Sequence, residues 1–500
     1  MAILSLLLVG FVGYYISWVV YARWFHPYSK YPGPFLASIS RLWIAKEVAQ
    51  ARGDRVVKAL HDKYGPIIRI APDEVHILDP TAIKTLYGAG TAFTKTDFYT
   101  AFHAHWARYP EHFVATDETM HSQRRRLVNH IYSMTNISRF EPGIDTCTSL
   151  ILNHFHTLSK SSSPTTDLSI WFRWYAFDVV GELFFSHHFG FLAEKKDYKG
   201  WIESTDLLIP FMAIASVIQP WLRPFLMFAG ILKPSILRGA KMIGTIEKVC
   251  QECIDTRVKE MEELPEERKE DLLGQFFGVM ESYGDEGWFG GLEIKGEIYT
   301  ALMAGSDTTA IALTSILYHL LKKPETYRKL KKEIDDATKA GELSKPFIRY
   351  QEASKLRYLD AVVKEGMRIH ASVALSLPRH VPEGGAEVAG EWFLGGYRVG
   401  VNPQLIQRDR SVYGDDADEF RPERWLEGDA ANMDRHILTW GDGAHLCLGK
   451  NIALMEIYKL VPELIRSFDM ELVNSDKDWT VTNLWFNKPS DVNVRVKARK

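Results

Sequence analysis

The chain has 500 residues, of which 46% are hydrophobic and 25% are charged, a composition typical of a globular protein that excludes disordered, collagen-like and mucin-like chains. Its 60 basic and 63 acidic residues leave a formal charge of −3, so overall charge gives no support to nucleic-acid binding. Four cysteines in 500 residues are too few for a disulfide scaffold and indicate a reducing compartment.

The first predicted element is an apolar helix at the amino end. Residues 2–22 contain no charged side chain, and as a helix they would span about 30 Å, the thickness of a hydrocarbon core. A cleaved signal peptide is the alternative, but such a peptide has a basic leading region and a small-residue cleavage site. Nothing basic precedes this run except the amino terminus, so we predict an uncleaved single transmembrane anchor over residues 1–22.

The residues after the anchor suggest its orientation. Basic residues outnumber acidic ones there, so the positive-inside rule places the bulk of the chain in the cytosol. Three prolines within residues 23–45 stop helices and stiffen the chain, and we predict a proline-rich hinge over that stretch. A second apolar stretch, residues 207–218, is too short and too interrupted to span a bilayer. Because apolar residues resume at 224–232, we expect contact with the membrane surface rather than a core helix.

The soluble part is predicted to be mainly α-helical with small β-sheets. Apolar residues recur at helical spacing along most of it, whereas β-type runs are short. Length alone favours about three domains, but no long linker interrupts the chain, so we predict one domain over residues 46–500. The clearest helical segments are 246–254, 298–321 and 452–468, and the clearest strand segments are 67–70, 74–78 and 492–496.

The four cysteines differ in context. Cys250 and Cys253 form a C-x-x-C pair without a second ligand pair or a thioredoxin-like pattern, so we interpret them, like Cys147, as core residues. Cys447 lies among three glycines just before a helical segment. Amides at a helix start favour a thiolate, and glycines let the backbone approach a flat ligand, so this thiol suits axial ligation of haem iron. A glycine-rich turn with a buried cysteine is the alternative.

The segment W-G-D-G-A-H-L-C-L-G at residues 440–449 resembles the haem loop F-x-x-G-x-R-x-C-x-G of the cytochrome P-450 family. The resemblance implies the cytochrome P-450 fold, with haem b (iron protoporphyrin IX) as cofactor and Cys447 as the axial ligand of its iron. Trp440, in place of Phe, would cover the sulfur, and His445, in place of Arg, would donate to a haem propionate. Gly443 and Gly449 would shape the loop around the haem.

Residues 304–309, A-G-S-D-T-T, place a glycine and polar side chains inside a long apolar helix, a local conflict that is typical of functional sites. They resemble the family motif [AG]-G-x-[DE]-T-[TS] for oxygen activation. That resemblance implies that Asp307 and Thr308 deliver protons to bound O2. The residues alone leave an alternative open, because helical threonines often donate to the carbonyl of the preceding turn.

Two segments fit the family motif E-x-x-R. Glu365 and Arg368 have the right context, since Arg424 follows in an element that resembles the family's P-E-R-F/W, and the resemblance implies that these three side chains form a buried ionic network. Glu325 and Arg328 have the same spacing. An acid–base pair three residues apart on a helix is usually a solvated pair of small energetic value.

Further cationic residues resemble the family's propionate-binding positions. His121 and Arg125 match W-x-x-x-R with His in place of Trp, and their spacing puts both on one helix face. Arg379 resembles the remaining propionate-binding arginine. The alternative for the basic run at 124–126 is an ordinary basic helix face. We also expect residues 124–126 and Lys450 to form a basic patch for a reductase on the cysteine side.

The resemblance implies an enzyme, a cytochrome P-450 monooxygenase, that inserts one atom of O2 into a hydrophobic small molecule. The chain has no glycine-rich dinucleotide fingerprint, so electrons would come from NADPH through a membrane-bound NADPH-cytochrome reductase. Residues 32–34 and 450–454 resemble filamentous-fungal members of secondary metabolism, which implies a terpenoid, polyketide or alkaloid substrate and the endoplasmic reticulum membrane. A haem-thiolate isomerase or dehydratase without NADPH, and a non-enzymatic membrane haem protein, are the alternatives. By family position the substrate walls would be residues 98–113, 207–232, 298–303, 373–377 and 484–486.

Overall fold

The computed structural model describes residues 2–104, 106–263, 270–283 and 289–499. Over these residues the chain is mainly helical with small sheets, as predicted from the sequence. Met1 of the predicted anchor, His105 of the predicted substrate wall, and residues 264–269, 284–288 and 500 of the predicted domain lie outside the described residues.

The predicted helical segments are confirmed. The described α-helices are α1 (Ala2–Val20), α2 (Phe35–Ile39), α3 (Leu42–Ala49), α4 (Gly53–Tyr64), α5 (Thr81–Tyr87), α6 (Glu118–Val128), α7 (Met134–Ile137), α8 (Glu141–Leu158), α9 (Leu168–Phe185), α10 (Phe191–Glu194), α11 (Trp201–Val217), α12 (Arg223–Ile231), α13 (Pro234–Glu263), α14 (Leu272–Tyr283), α15 (Gly291–Lys322), α16 (Pro324–Lys339), α17 (Tyr350–Ala353), α18 (Arg357–Ile369), α19 (Pro403–Ile406), α20 (Arg410–Tyr413), α21 (Arg424–Glu427), α22 (Ala430–Arg435) and α23 (Lys450–Ser467).

The three predicted strand segments are also confirmed, and the remaining strands were not predicted. The described strands are β1 (Ile67–Ala71), β2 (Glu74–Ile77), β3 (Thr94–Lys95), β4 (Thr165–Asp167), β5 (Arg379–His380), β6 (Ala386–Val388), β7 (Glu391–Phe393), β8 (Arg398–Gly400), β9 (Phe468–Leu472), β10 (Thr480–Leu484), β11 (Phe486–Ser490) and β12 (Asn493–Ala498).

The largest sheet has five strands in the order β1–β2–β8–β5–β3. β2 and β8 are parallel, and the other pairs are antiparallel. At the β3 edge, Lys95 lies directly opposite Arg379 of β5. Residues directly opposite each other on adjacent strands point to the same face, so both long cationic side chains leave the sheet on one side.

The long helix α15 organises the larger core. It begins beside Gly290, whose amide donates to the Glu293 carboxylate at 2.9 Å, and it ends before Pro324, which opens α16 at a position where a missing N–H costs nothing. α15 packs against α9, α18 and α23 and is buried over most of its length. In its middle, Ala304 is exposed and Thr308 is only half-buried, so one face of the helix borders an internal opening.

The amino-terminal helix is tied to the sheet at its end. Among the described residues one helix, Ile3–Phe25, is long and apolar enough to cross a membrane, and its apolar side chains are exposed. Arg69 of β1 is buried and donates from Nη1 to the Ala22 carbonyl at 2.8 Å and from Nη2 to the Pro72 carbonyl at 2.7 Å. The end of the apolar helix is therefore fixed against the first strand.

The expectation that residues 207–218 contact the membrane surface is wrong. They lie in α11, which packs against α3 and α13 and buries Leu208, Ile209 and Ala213. An apolar stretch has the same composition whether lipid or protein covers it, so only the packing in the folded chain shows which of the two covers it. A group of exposed apolar side chains lies after α11 instead, and each of them is 59–70% exposed. These residues are Trp221, Phe225, Met227, Phe228, Ile231 and Leu232.

The interpretation of three cysteines as core residues is confirmed. Cys147 and Cys250 are buried, and Cys253 is half-buried on the same helix as Cys250. Burial raises the pKa of the Cys253 thiol to about 11 and raises those of the other two further, so these side chains stay neutral. Cys447 alone of the four is exposed.

Candidate functional site

The loop before α23 depends on glycine at two positions. Gly441 and Gly443 have φ values of 69° and 57°, which other residues rarely adopt. At Gly443 an added Cβ would lie 2.4 Å from the carbonyl oxygen of Tyr87, so no side chain fits there. Gly449 has an ordinary φ of −78°, and a Cβ there would enter open space. Glycine at 449 therefore leaves room near Cys447 rather than serving the turn.

Cys447 keeps accessible surface in the loop before α23. Its amide donates to the Trp440 carbonyl at 2.7 Å, which fixes the loop. Burial raises the pKa of the thiol, and the amides of Gly449 and Lys450 and the Arg125 guanidinium offset this only in part. The amides at the helix start therefore favour the thiolate as expected, but burial outweighs them in the free thiol, and a bound metal ion would supply the remaining stabilisation.

Two histidines meet beside this loop. α6 begins after Asp117, whose carboxylate accepts from the Met120 amide at 2.7 Å, and this cap places His121 in the first turns of the helix. The rings of His121 and His445 lie 4.2 Å apart between centroids, and His445 Nε2 lies 3.0 Å from the Glu118 carboxylate. Burial, followed by the neighbouring His445, lowers the pKa of His121 to about 2, so this imidazole is neutral at physiological pH.

Two unpartnered nitrogen atoms lie among these side chains. Among the described residues, Arg379 Nε and His445 Nδ1 are buried without a partner. Arg379 also donates from Nη1 to the Tyr99 hydroxyl at 2.6 Å. The Arg125 guanidinium is close enough to Cys447 to favour its thiolate. The structure therefore brings His121, Arg125, Arg379 and His445 to one side of the Cys447 loop, where they offer donors to an anion.

The Thr308 hydroxyl makes the bond that the sequence left as an alternative. Thr308 Oγ1 donates to the Ala304 carbonyl at 2.7 Å. Ser372 Oγ donates to the Thr308 carbonyl at 2.8 Å, which ties the middle of α15 to the chain after α18. Because Thr308 is half-buried beside exposed Ala304, its hydroxyl still borders the opening.

Asp307 does not share the face of Thr308, because adjacent helical residues point about 100° apart. Its buried carboxylate lies 2.8 Å from Arg173 Nε and 2.6 Å from Lys488 Nζ. Both cations also contact Asp206, at 2.9 and 2.7 Å. These four side chains line an open pocket of about 370 Å³ between α9, α11, α15 and the β10–β11 hairpin. The sequence analysis identified neither Arg173 nor Lys488.

Glu365, Arg368 and Arg424 meet in a buried cluster. Arg368 donates from Nε and Nη2 to the two Glu365 carboxylate oxygens, each at 2.8 Å, and Arg424 Nε donates to the same carboxylate at 3.0 Å. Trp425 Nε1 adds a fourth bond at 2.9 Å. All four side chains are buried, so the cluster joins α18 to α21 beneath α15.

The model of the cytochrome P450 family matches residues 32–494. The chain belongs to the cytochrome P450 family. It is an oxidoreductase of the monooxygenase class, and its cofactor is haem b.

Three relatives cover nearly all of this P450. The cytochrome P450 monooxygenase gsfF of Penicillium aethiopicum is 40% identical over 499 residues, which is 99% of each chain. The cytochrome P450 monooxygenase cicH of Emericella nidulans is 35% identical over 475 residues, 94% of each chain. Pisatin demethylase of Fusarium vanettenii is 32% identical over 490 residues, 98% of this chain and 94% of that one.

The residues of this P450 fit haem b. A thiol with accessible surface suits the iron, and the open space beside Gly449 leaves room for a flat macrocycle. The unpartnered Nε of Arg379 suits one carboxylate of the porphyrin, and a protonated His445 would donate from Nδ1 to the other, because its Nε2 already donates to Glu118.

Four of the five predicted substrate-wall segments of the P450 contribute to one apolar cluster, and a residue of the fifth packs against it. Its buried members include Phe98, Ile209, Leu375 and Phe486, and Met303 packs against the cluster. Apolar walls suit the hydrophobic substrates on which P450 monooxygenases generally act.

The predicted basic patch needs one correction. Arg124 is buried and its guanidinium lies 5.2 Å from the centroid of the Tyr109 ring, so it cannot contact a reductase. Arg126 is exposed, and Arg125 and Lys450 are half-buried. The run of three arginines gives no sign of this difference, because helical rotation turns only some of its members towards solvent.

Proposed function

We propose that this P450 is a membrane-anchored haem-thiolate monooxygenase of fungal secondary metabolism, with Cys447 as the axial ligand of the haem iron. One observation carries the assignment: Cys447 keeps accessible surface inside the fold, in a loop shaped by glycines at the start of α23. α23 in turn packs against α15, the helix that carries Ala304 and Thr308. The sequence similarity to fungal monooxygenases supports the same assignment.

The bound haem would supply the oxidation itself, in which one O2 atom enters a C–H or C=C bond and the other leaves as water. The chain positions and protects this group. Cys447 would bind the iron, and Trp440, whose carbonyl accepts from the Cys447 amide, would cover the sulfur. Gly443 lets the loop approach the backbone of residues 87–89, and Gly449 leaves open space that the macrocycle would occupy. The two propionates would be held by His121, Arg125, Arg379 and His445.

We assign proton delivery to Asp307 and Thr308. The Asp307 carboxylate faces the open pocket, where it can take a proton from solvent once its ion pair with Arg173 or Lys488 opens. Thr308 Oγ1 borders the opening on the other face and holds a proton there, with the Ala304 carbonyl as its resting acceptor. Since the two side chains diverge, transfer between them requires Asp307 to leave its cations or a water molecule to bridge the gap.

Membrane association follows from two apolar surfaces. The helix Ile3–Phe25 would anchor the chain in the endoplasmic reticulum membrane, with the catalytic domain, residues 46–500, in the cytosol beyond a proline-rich hinge at 23–45. The exposed aromatic side chains after α11, such as Trp221 and Phe225, would rest in the interfacial region of the same membrane. A terpenoid, polyketide or alkaloid would enter from lipid, and an NADPH-cytochrome reductase would dock near Arg126 and Lys450.

The assignment of the ligand is tested by Cys447→Ala in microsomes that contain a reductase. We expect loss of the thiolate-type CO difference spectrum, because alanine offers no ligand to iron. Cys253→Ala, which removes a half-buried cysteine elsewhere in the fold, is the matched control and should keep the spectrum. A thiolate-type spectrum in the Cys447→Ala protein would refute the ligand assignment.

The proton path is tested by Thr308→Ala. We expect haem content to stay unchanged while NADPH consumption yields more peroxide and less product, because the hydroxyl that holds the proton is gone. Ser306→Ala is the control, since Ser306 also donates to a carbonyl one turn back in α15, at 2.9 Å, but is buried. Unchanged coupling in Thr308→Ala would remove Thr308 from the path. Turnover of a peroxide without NADPH or O2 would instead favour an isomerase or dehydratase.

A further inference from the structure

A small cavity adjoins the predicted substrate walls on the side of the five-stranded sheet. Its volume is about 30 Å³, and residues of α3, of β2 and of the chain after α18 line it. Three apolar lining residues, Phe98, Val217 and Leu375, also belong to the apolar cluster of the substrate walls. The cavity therefore lies between the sheet and the part of the fold that is predicted to contact the substrate.

Three polar groups on the lining of this cavity have no hydrogen-bond partner among the residues that the structure describes. They are Arg41 Nε, His76 Nε2 and Ser376 Oγ, and each of these atoms is buried. Arg41 and His76 are only 4% and 1% exposed. A buried polar group without a partner is costly, because it has given up its hydrogen bonds to water. Three such groups around one cavity indicate an occupant that bonds to them.

A pair of histidines fixes the role of His76 Nε2. His61 Nδ1 lies 2.8 Å from the Gly65 carbonyl oxygen, which can only accept, so Nδ1 of His61 carries the proton. His61 Nε2 is then an acceptor, and His76 Nδ1, 2.7 Å away, must donate to it. Burial lowers the pKa of both imidazoles, that of His76 well below its ordinary value, so both rings are neutral. His76 Nε2 therefore keeps an unprotonated lone pair that requires a donor.

The register of the sheet brings the Ser376 hydroxyl next to this imidazole. His76 of β2 pairs with Gly400 of β8, and the two strands are parallel. A Cβ on Gly400 would clash with Ser376 Oγ, so the hydroxyl lies directly against the strand at that position. Glycine at 400 therefore leaves the space that the serine hydroxyl occupies beside His76.

The lining groups also define the chemistry of the occupant. Arg41 Nε donates, His76 Nε2 accepts and Ser376 Oγ can do either. Glu74, Arg41 and Arg398 line the same cavity, so either sign of charge would meet a like charge there. A neutral group that donates and accepts at once fits these surroundings. Since one water molecule needs about 10–15 Å³, the cavity has room for water but not for a larger ligand.

We propose that Arg41, His76 and Ser376 bind a resident water molecule that donates to His76 Nε2 and accepts from Arg41 Nε and Ser376 Oγ. The water joins the start of α3, the sheet and the substrate wall at Leu375 to one another. This inference goes beyond the proposed function and does not depend on it.

The test is solid-state NMR of the full-length holoenzyme in lipid bilayers, with ¹⁵N in the histidine rings. Two quantities are measured at His76 Nε2: its chemical shift, and the transfer of magnetisation to it from water protons. The signal that disappears in His76→Gln identifies this nitrogen, and the coupling between the hydrogen-bonded rings of His61 and His76 assigns it independently.

The wild type is compared with Ser376→Val and with a matched control, Ser216→Ala. Ser216 lines the same cavity, but its hydroxyl already donates to the Ala213 carbonyl at 2.8 Å. Valine at 376 removes a donor and puts methyl groups in place of the hydroxyl and of the water.

We expect the wild-type Nε2 to have the upfield shift of an unprotonated nitrogen that accepts a hydrogen bond, and to receive magnetisation from water. Ser216→Ala should match the wild type in both quantities. In Ser376→Val the transfer from water should fall severalfold, and the Nε2 signal should move to the position of a free lone pair.

A wild-type Nε2 at the position of a free lone pair would show a dry cavity and overturn the inference. A bonded Nε2 without transfer from water would show that Ser376 donates to it directly, and a protonated Nε2 would contradict the assigned donors. Unchanged transfer in Ser376→Val would also overturn the proposed site. If Ser376→Val does not fold, the wild-type spectrum alone decides. The CO difference spectrum should stay of thiolate type throughout, because none of these variants touches Cys447.

Discussion

Two segments of this P450 have the same E-x-x-R spacing and opposite environments. Glu365 and Arg368 on α18 are both 0% exposed, with Arg368 Nη2 2.8 Å from the carboxylate. Glu325 and Arg328 on α16 are 84% and 72% exposed, and the closest distance between their charged atoms is 3.9 Å. The motif is identical, so the difference arises entirely from what the rest of the fold packs against each helix.

The buried pair gains partners that the exposed pair lacks. Arg368 also donates to the carbonyl oxygens of Gln407, Ala417 and Glu419, at 2.8, 2.7 and 3.0 Å. These carbonyls come from the long connection between β8 and α21, which the guanidinium therefore fixes in place. Around Arg328 water competes for every donor. Spacing brings two charges within reach, but packing determines how much the contact contributes.

The largest expected effect comes from breaking the buried pair. Glu365→Gln removes the charge that compensates both Arg368 and Arg424, and leaving buried cations uncompensated costs about 3–5 kcal/mol. We expect the free energy of unfolding to fall by that amount, measured by urea titration followed by circular dichroism. A loss below about 1 kcal/mol would mean that water or another anion reaches the arginines in the native state.

At acidic pH, the free energies of unfolding of the wild type and of Glu365→Gln should become more similar. Burial alone would raise the pKa of Glu365, but the bonds from Arg368 and the charge of Arg424 outweigh it and leave the pKa below the ordinary value. A lowered native pKa stabilises the fold above the unfolded value of about 4.3, and this stabilisation is lost as pH falls through the native value. Urea titrations at a series of pH values from neutral to acidic measure this difference in the free energy of unfolding. A difference that grows in acid would contradict a lowered pKa for Glu365.

The smallest effect is expected at the exposed pair. Glu325→Gln should change the free energy of unfolding by no more than about 0.5 kcal/mol, because water already solvates both charges. The same urea titration measures this change, and added salt should reduce it further, because salt screens exposed charges. A loss as large as that of Glu365→Gln would show that spacing, rather than packing, gives the motif its value.

The parts of the fold that depend on local sequence could be predicted. The long helices and the strands near residues 70 and 495 follow from apolar periodicity, and the Cys447 loop follows from glycines that positive φ angles require. Sequence context also identified the segment with Glu365, rather than the one with Glu325, as the family's E-x-x-R motif. The structure agrees, because Glu365 is buried and Glu325 is exposed.

Partners that only tertiary structure joins could not be predicted. Asp307 contacts Arg173, which precedes it by 134 residues, and no pattern along the chain links them. Lys95 stands alone in the sequence, and only the register of a two-residue strand places it opposite Arg379. Likewise, apolar composition could not distinguish the buried α11 from the exposed residues after it, because lipid and protein interior favour the same side chains.

The bond from Arg69 to Ala22 has a consequence for how the enzyme sits on a bilayer. Since the guanidinium is buried and also bonded to Pro72, the apolar helix cannot pivot about Ala22 without leaving a buried donor unsatisfied. In the membrane-anchored arrangement proposed above, helix and catalytic domain would therefore tilt together, and the angle of the helix to the bilayer normal would set the depth at which Trp221 and its neighbours meet the lipid. A chain shortened beyond Ala22 would lose that joint along with the span.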